Sequence, residues 1–351
     1  MSTKILLFIA LISFSISKEN LSSFNSYEFN YILDKERMQN IVETVNNLNT
    51  TWKAILPSKN YTPLLGADLD LIKNIKKEPK NFINTKNFKL FSVNSFNLPE
   101  SYDAREVHPE CKEIISTIYD QANCGSCWAV SSTSVMSDRL CIKSNGKIQK
   151  HISTLNLISC LNRCYGCNGG LSFFAFDYWV SDGLVTGGDY GDESSCQPYF
   201  LPPCDHHTSE EVYGECGNVT STPKCSNVCQ EKYEKSYDED KIYGNDSYYL
   251  YHPSDEEVMN EIYENGPVVS SFSVYEDFYA YKSGVYQNVA GSYMGSHEIR
   301  IIGWGVEDGV KYWLCANSWN KYWGENGYFK ILRGENECDI EAMITAANPL
   351  V

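Results

Sequence analysis

Gln121-Ala122-Asn123-Cys124-Gly125-Ser126-Cys127-Trp128 sets a side-chain amide, two thiols and a turn-forming Cys-Gly-Ser step in front of residues 128–141, which contain neither Pro nor Gly and read as a helix. A thiol attacks a carbonyl well only as thiolate, and a helix start beside an imidazole lowers its pKa, so Cys127 is the candidate nucleophile. Attack creates an oxyanion, which the Gln121 amide and the Cys127 backbone N–H are placed to stabilise. Cys124-x-x-Cys127 also fits a redox pair or half a zinc site, but the flanking Gln and Trp fit neither. The segment points to a cysteine peptidase.

The base for such chemistry is His297, which opens the alternating apolar run His297-Glu298-Ile299-Arg300-Ile301-Ile302-Gly303-Trp304, a buried-strand pattern. Twenty residues on, Asn317-Ser318-Trp319 ends a second strand pattern, 311–316. Asn317 offers an amide oxygen to orient the imidazole, and Trp319 an indole to shield the pair from water.

These segments, in the order Cys, His, Asn, resemble the papain superfamily of cysteine peptidases, and the match runs from about Leu98 to the C-terminus. Cys204-Asp205-His206-His207 with Cys216, in a long insert between Cys196 and Cys229, resembles the occluding loop of the cathepsin B group. The resemblance implies an α+β fold of two lobes, one helical to about Tyr249 and one β-barrel-like from about Leu250, with the cleft between them. It also implies a precursor peptidase without a cofactor, endopeptidase activity, and removal of C-terminal dipeptides. In that activity His206 and His207 bind the substrate carboxylate as charged imidazoles. Protein and peptide substrates, the protein's own propeptide and cystatin-type inhibitors are the implied partners.

Three parts of the chain follow: a signal peptide at 1–17, an inhibitory propeptide at 18–97 and a peptidase domain at 98–351. Lys4 precedes the apolar run 5–14 and the small residues Ser15 and Ser17, a pattern too short to span a bilayer. Residues 31–48 read as a helix, and Asn49-Thr50-Thr51-Trp52-Lys53-Ala54 resembles the short cathepsin B propeptide, whose role is to fill the cleft. This propeptide lacks the Cys usual in the family.

Fourteen Cys, all from Cys111 onward, imply an oxidising compartment, hence the secretory pathway with a lysosomal or extracellular digestive destination. Their spacing leaves connectivity open. The resemblance implies the pairs Cys111–Cys141, Cys124–Cys167, Cys160–Cys225, Cys196–Cys229 and Cys204–Cys216, with Cys160–Cys164 as an alternative. Cys315 and Cys338 are expected as buried small residues. The two His near Cys204 also admit a metal site, which disulfide pairing of the thiols removes; no metal is assigned.

Specificity is expected in the second subsite, where the resemblance places Leu171, Ser172, Ser271, Ser296, Glu298 and Met343. Gly169 and Gly170 allow close approach of the substrate backbone. Met343 stands where the group usually has an acidic residue, and Glu298 is expected to restore that charge from another wall, unless it faces solvent or pairs with Arg300. The occluding loop is expected to be tied by Asp120 to His206. The group's second tie, an Arg–Asp pair, is lost at Val212 or a neighbour and Tyr322, so the loop is expected to be loose and endopeptidase activity raised.

The net charge of −16 and pI of about 4.8 argue against nucleic-acid binding. Sequons at Asn20, Asn49, Asn60, Asn218 and Asn245 permit glycosylation. A non-catalytic binding protein on the same fold is the alternative, should Glu298 displace the neighbouring imidazole.

Overall fold

The computed structural model describes residues 35–58, 65–67 and 98–351. The signal-peptide segment, the sequons at Asn20 and Asn60, residues 31–34 of the expected helix and the junction before Leu98 lie outside these residues.

Helix α1 (Lys35–Asn47) buries Met38, Ile41, Val42 and Val45, an i, i+3, i+4, i+7 stripe. Strand β1 (Trp52–Ala54) adds antiparallel to β7 (Tyr281–Tyr286) at the edge of the main sheet. Trp52 is fully buried there, its ring stacked on Tyr281 at 6.1 Å and tilted against Tyr286 at 5.0 Å. Arg37 grips Glu276 through two hydrogen bonds of 2.7 Å. The N-terminal segment is thus anchored by apolar burial and a bidentate ion pair.

One lobe is helical: α2 (Cys127–Lys143), α3 (Thr154–Cys160) and α4 (Ser172–Ser181), with the short antiparallel pair β3 (His151–Ile152) and β4 (Thr186–Gly187). Helix α2 is buried from Cys127 to Cys141 although it is rich in hydroxyls. Ser132, Thr133, Ser134 and Ser137 resolve the conflict by bonding carbonyls four residues back, so no buried hydroxyl among them is left unsatisfied.

The other lobe is a nine-stranded sheet, ordered β1-β7-β10-β9-β8-β6-β11-β5, with β2 (Tyr102–Asp103) paired to β8. Its members include β5 (Gly244–Tyr251), β6 (Val268–Tyr275), β8 (Tyr293–Glu307), β9 (Val310–Ala316), β10 (Tyr328–Leu332) and β11 (Met343–Pro349). Helix α5 (Asp255–Asn265) starts with a Ser254–Glu257 capping box.

The expected lobe boundary between Tyr249 and Leu250 falls inside β5, which runs unbroken through it. Side-chain alternation is the reason: Tyr248 and Leu250 pack in the strand-lobe core, while Tyr249 packs with the helical cluster.

The five disulfides are Cys111–Cys141, Cys124–Cys167, Cys160–Cys225, Cys196–Cys229 and Cys204–Cys216. Cys160 is therefore not joined to Cys164, whose Sγ lies 4.0 Å from the Leu171 carbonyl. Cys315 is a buried thiol in β9. Cys338 differs from expectation: it is half-buried in a 3-10 turn, Glu337–Asp339, at φ 51°, with its thiol donating to Glu337.

Candidate active site

Cys127 is the first residue of α2 and is fully buried at the lobe interface. Upstream, the loop is held by contacts between residues far apart in the chain. Ser126 Oγ meets Tyr199 OH at 2.9 Å, and that phenol donates to the Gln121 carbonyl at 2.8 Å. The Gln121 amide donates to Cys124 O at 3.1 Å and accepts from Ser318 Oγ at 2.6 Å. Gln121 is thus locked by both lobes.

His297 lies on β8 opposite Phe272 of β6 and is fully buried. Its Nε2 bonds Asn317 Oδ1 at 2.7 Å, and Nδ1 has no hydrogen-bond partner among the described residues. Asn317 Oδ1 also accepts the Ser318 backbone N–H at 2.8 Å. The Trp319 ring stacks on the imidazole, centroids 4.9 Å apart. Backbone hydrogen bonds from Glu298, the residue after His297, and from Trp128 and Gly66 reach the Cys127 thiol.

Residues 65–67 cross this site. Gly170 N donates to Gly66 O at 2.9 Å, and Ala67 N to Ser296 O at 3.2 Å, so the segment bonds both walls. A Cβ on Gly66 would sit 2.0 Å from Gly125 O, which leaves room only for glycine. Under this cover burial pushes the Cys127 thiol up to about 12, outweighing the helix start and its backbone donors. Burial likewise pulls His297 down to about 4, against the Asn317 bond that favours its charged form. Both groups are neutral while the segment is in place.

Residues 98–348 match the model of the papain family of cysteine proteases. The chain belongs to that family, in its cathepsin B-like group. It is 47% identical over 251 residues to a cathepsin B-like cysteine proteinase of Schistosoma japonicum, covering 71% of this chain and 72% of that protein. With cathepsin B-like cysteine proteinase 6 of Caenorhabditis elegans it shares 36% identity over 99% of this chain and 94% of the other. Among solved structures it resembles proCathepsin B S9 from Trypanosoma congolense, with TM-score 0.73 and 34% identity over 91% of this chain and 99% of that one. The protein is a cathepsin B-like cysteine protease with a two-lobe α+β fold, here in its zymogen arrangement.

In this cathepsin B-like protease the Cys204–Cys216 loop packs over one end of the site. His206 Nε2 lies 2.7 Å from Asp120 Oδ1, and Asp120 Oδ2 accepts Cys204 N and Asn320 Nδ2, both at 3.1 Å. The Asp205 carboxylate gathers the backbone N–H groups of Val212, Tyr213 and Gly214. With Val212 and Tyr322 at the places of the second tie there is no Arg–Asp pair; Tyr213 and Tyr322 instead meet edge-on at 5.7 Å, an aromatic contact. Asn320 Nδ2 also donates to Cys204 O at 2.9 Å, a further contact on the loop. His207 departs from the expectation of a charged imidazole. It is buried against Tyr279 at 4.1 Å and Trp319 at 5.0 Å, which drives its pKa well down and keeps it neutral. Segment residue Ser58 bonds this loop through its N–H to Thr208 O at 2.8 Å.

The expected second-subsite residues come together between α4 and the sheet. Glu298 is fully buried, neither facing solvent nor pairing with Arg300, which forms a double hydrogen bond to Asp138 on α2 instead. The Glu298 carboxylate accepts Ser271 Oγ at 3.0 Å and Ser172 N at 3.1 Å. Ser172 Oγ in turn meets Thr345 Oγ1 at 2.7 Å. Leu171 and Met343 are buried in the adjoining apolar cluster, and Ser296 Oγ has no hydrogen-bond partner among the described residues. Gly169, at φ 116°, needs the freedom of glycine; at Gly170 a Cβ would strike the Trp128 ring at 2.7 Å.

Tyr199, Ser318, Asn320 and Asp205 hold the site and were not singled out from sequence. Ser318 and Asp205 lie within quoted motifs but were given no role; Tyr199, Ser318 and Asn320 act through contacts with positions far apart in the chain, and Asp205 through a turn formed only when its loop folds.

Proposed function

We propose that the protein is a secreted or lysosomal peptidase in which Cys127, His297 and Asn317 cleave peptide bonds, with residues 18–97 as inhibitory propeptide and 98–351 as the active domain. Once the cleft opens, His297 takes the thiol proton and Cys127 attacks the carbonyl carbon. Gln121 Nε2 and the Cys127 backbone N–H receive the oxyanion. The intermediate collapses to a thioester as His297 returns its proton to the departing amine. Water, activated by the now neutral imidazole, releases the acid and restores the thiol. The observation that carries this reading is the His297–Asn317 bond of 2.7 Å, under Trp319 and beside the helix start that bears Cys127.

The loop supports dipeptidyl carboxypeptidase activity beside endopeptidase activity. His206, paired with Asp120, donates to a substrate carboxylate, and the buried, neutral His207 is the second donor. The second subsite, walled by Leu171, Ser271, Glu298 and Met343, accepts a basic side chain through Glu298. The non-catalytic reading has no support in the geometry, because Glu298 extends to Ser172 and Ser271 and leaves the His297–Asn317 bond intact.

The test is product analysis of one peptide with a free and an amidated C-terminus. Dipeptide release from the free form alone supports the carboxypeptidase reading; equal release from both refutes it. An unchanged Arg-to-Phe preference in Glu298→Ala would refute the subsite assignment.

A further inference from the structure

Glu298 joins two parts of the site that a structural role alone does not require. Ser172, whose N–H it accepts, is the first residue of α4, and the N-cap Leu171 makes no side-chain capping bond. A carboxylate from the strand lobe therefore caps a helix of the helical lobe. Glu298 also lines a small cavity with Val130, Ser131 and Ser134, from the first turns of the helix that starts at Cys127, so its buried carboxyl and that buried thiol lie in one region of the lobe interface. Two acids thus share one dry space, and two like charges there oppose each other.

We propose that Glu298 is a positioning residue that confines catalysis to the acidic side of neutrality: neutral, it permits the Cys127 thiolate, and ionised, it opposes it. The inference rests on Cys127 being the nucleophile. Burial pushes the Glu298 carboxyl up to about 7, against the bonds from Ser271 and Ser172 that favour its charged form. The groups around it do not mask this titration. Ser271 on β6, Ser172 on α4, and Met343 and Thr345 on β11 carry no charge. On its own strand Arg300 is paired with Asp138, and His297 belongs to the catalytic pair. Tyr119, which shares a small cavity with Glu298 and Arg300, is held neutral by burial. That leaves Cys127 on α2 as the acid with which Glu298 is coupled, so the two titrate as a pair.

The experiment measures kcat/KM on a Phe-Arg fluorogenic substrate and the rate of Cys127 alkylation by iodoacetamide, from about pH 4.5 to 8.5. Processed wild type is compared with Glu298→Gln and Ser271→Ala, with thermal melting at each pH to separate loss of thiolate from loss of fold. Wild type should decline above about pH 7, and Glu298→Gln should hold its rate, reaching roughly tenfold over wild type for each unit of pH in which only wild type declines. Ser271→Ala removes a donor to the ionised carboxylate, so its decline should move to higher pH. Superimposable alkaline limbs in all three proteins would overturn the proposal. No hydrolysis and no alkylation of wild type at any pH would remove the nucleophile reading with it.

Discussion

Asn317 Oδ1 lies 2.7 Å from His297 Nε2, which fixes the imidazole by one nitrogen and leaves the other without a partner among the described residues. The hydrogen bond selects the tautomer and the ring orientation together, as the orienting member of a catalytic triad does. Asn317→Ala should lower kcat by on the order of 10²-fold through misorientation of the ring, with KM little changed. Steady-state kinetics of the processed enzyme check this; an unchanged kcat would contradict it.

Gln121 is clamped by Ser318 Oγ at 2.6 Å and by the Cys124 carbonyl at 3.1 Å, so its amide cannot rotate away from the site. Gln121→Ala should lower kcat by about 10²- to 10³-fold, the usual effect of losing one oxyanion donor. Ser318→Ala should show a smaller loss of the same kind. A change confined to KM in either variant would argue against the oxyanion role.

Tyr213 and Tyr322 form an uncharged tie on the Cys204–Cys216 loop. Tyr322→Ala should raise endopeptidase activity by about two- to tenfold, the range an aromatic pair supports. Because this contact is uncharged and the loop's other tie, the His206–Asp120 pair, is buried from solvent, the wild-type ratio of endo- to exopeptidase rates should vary little with added salt. Assays of an internally quenched peptide across salt concentrations, with and without the substitution, decide both points.

Acid should loosen the propeptide. Burial holds His297 at about 4 in the covered state, below its ordinary 6.5. A histidine depressed in this way stabilises the covered state fully above about 6.5, and the contribution is lost as pH falls from there toward 4. The loss is at most about 3 kcal/mol. Cleavage of the Cys127→Ala zymogen by an added protease should therefore quicken as pH falls through this window. A pH-independent rate, after correction for the protease itself, would contradict the linkage.

Cys127 and His297 were legible because each sits in a segment whose local pattern states its setting: a turn followed by a helix without Pro or Gly, and an alternating strand. The partners that hold them were less so. Glu298 is identifiable as unusual from its place after His297, but its cap on α4 joins residues 126 apart and depends on how β8 meets the other lobe. Tyr213 and Tyr322 read as missing charges because the alternative contact exists only once the loop has folded back. Cys338 was misplaced since its αL turn carries no glycine signal. The lobe boundary failed for a related reason: a strand whose two faces serve different cores has no break to read.

The central claim is that Cys127 is the nucleophile, and the most direct measurement is hydrolysis of Phe-Arg and Arg-Arg fluorogenic substrates at about pH 5 by processed wild type and Cys127→Ala. The account predicts turnover of both substrates by wild type and loss of both in the variant, with fold and propeptide processing by an added protease retained. Equal turnover in the two proteins would contradict it.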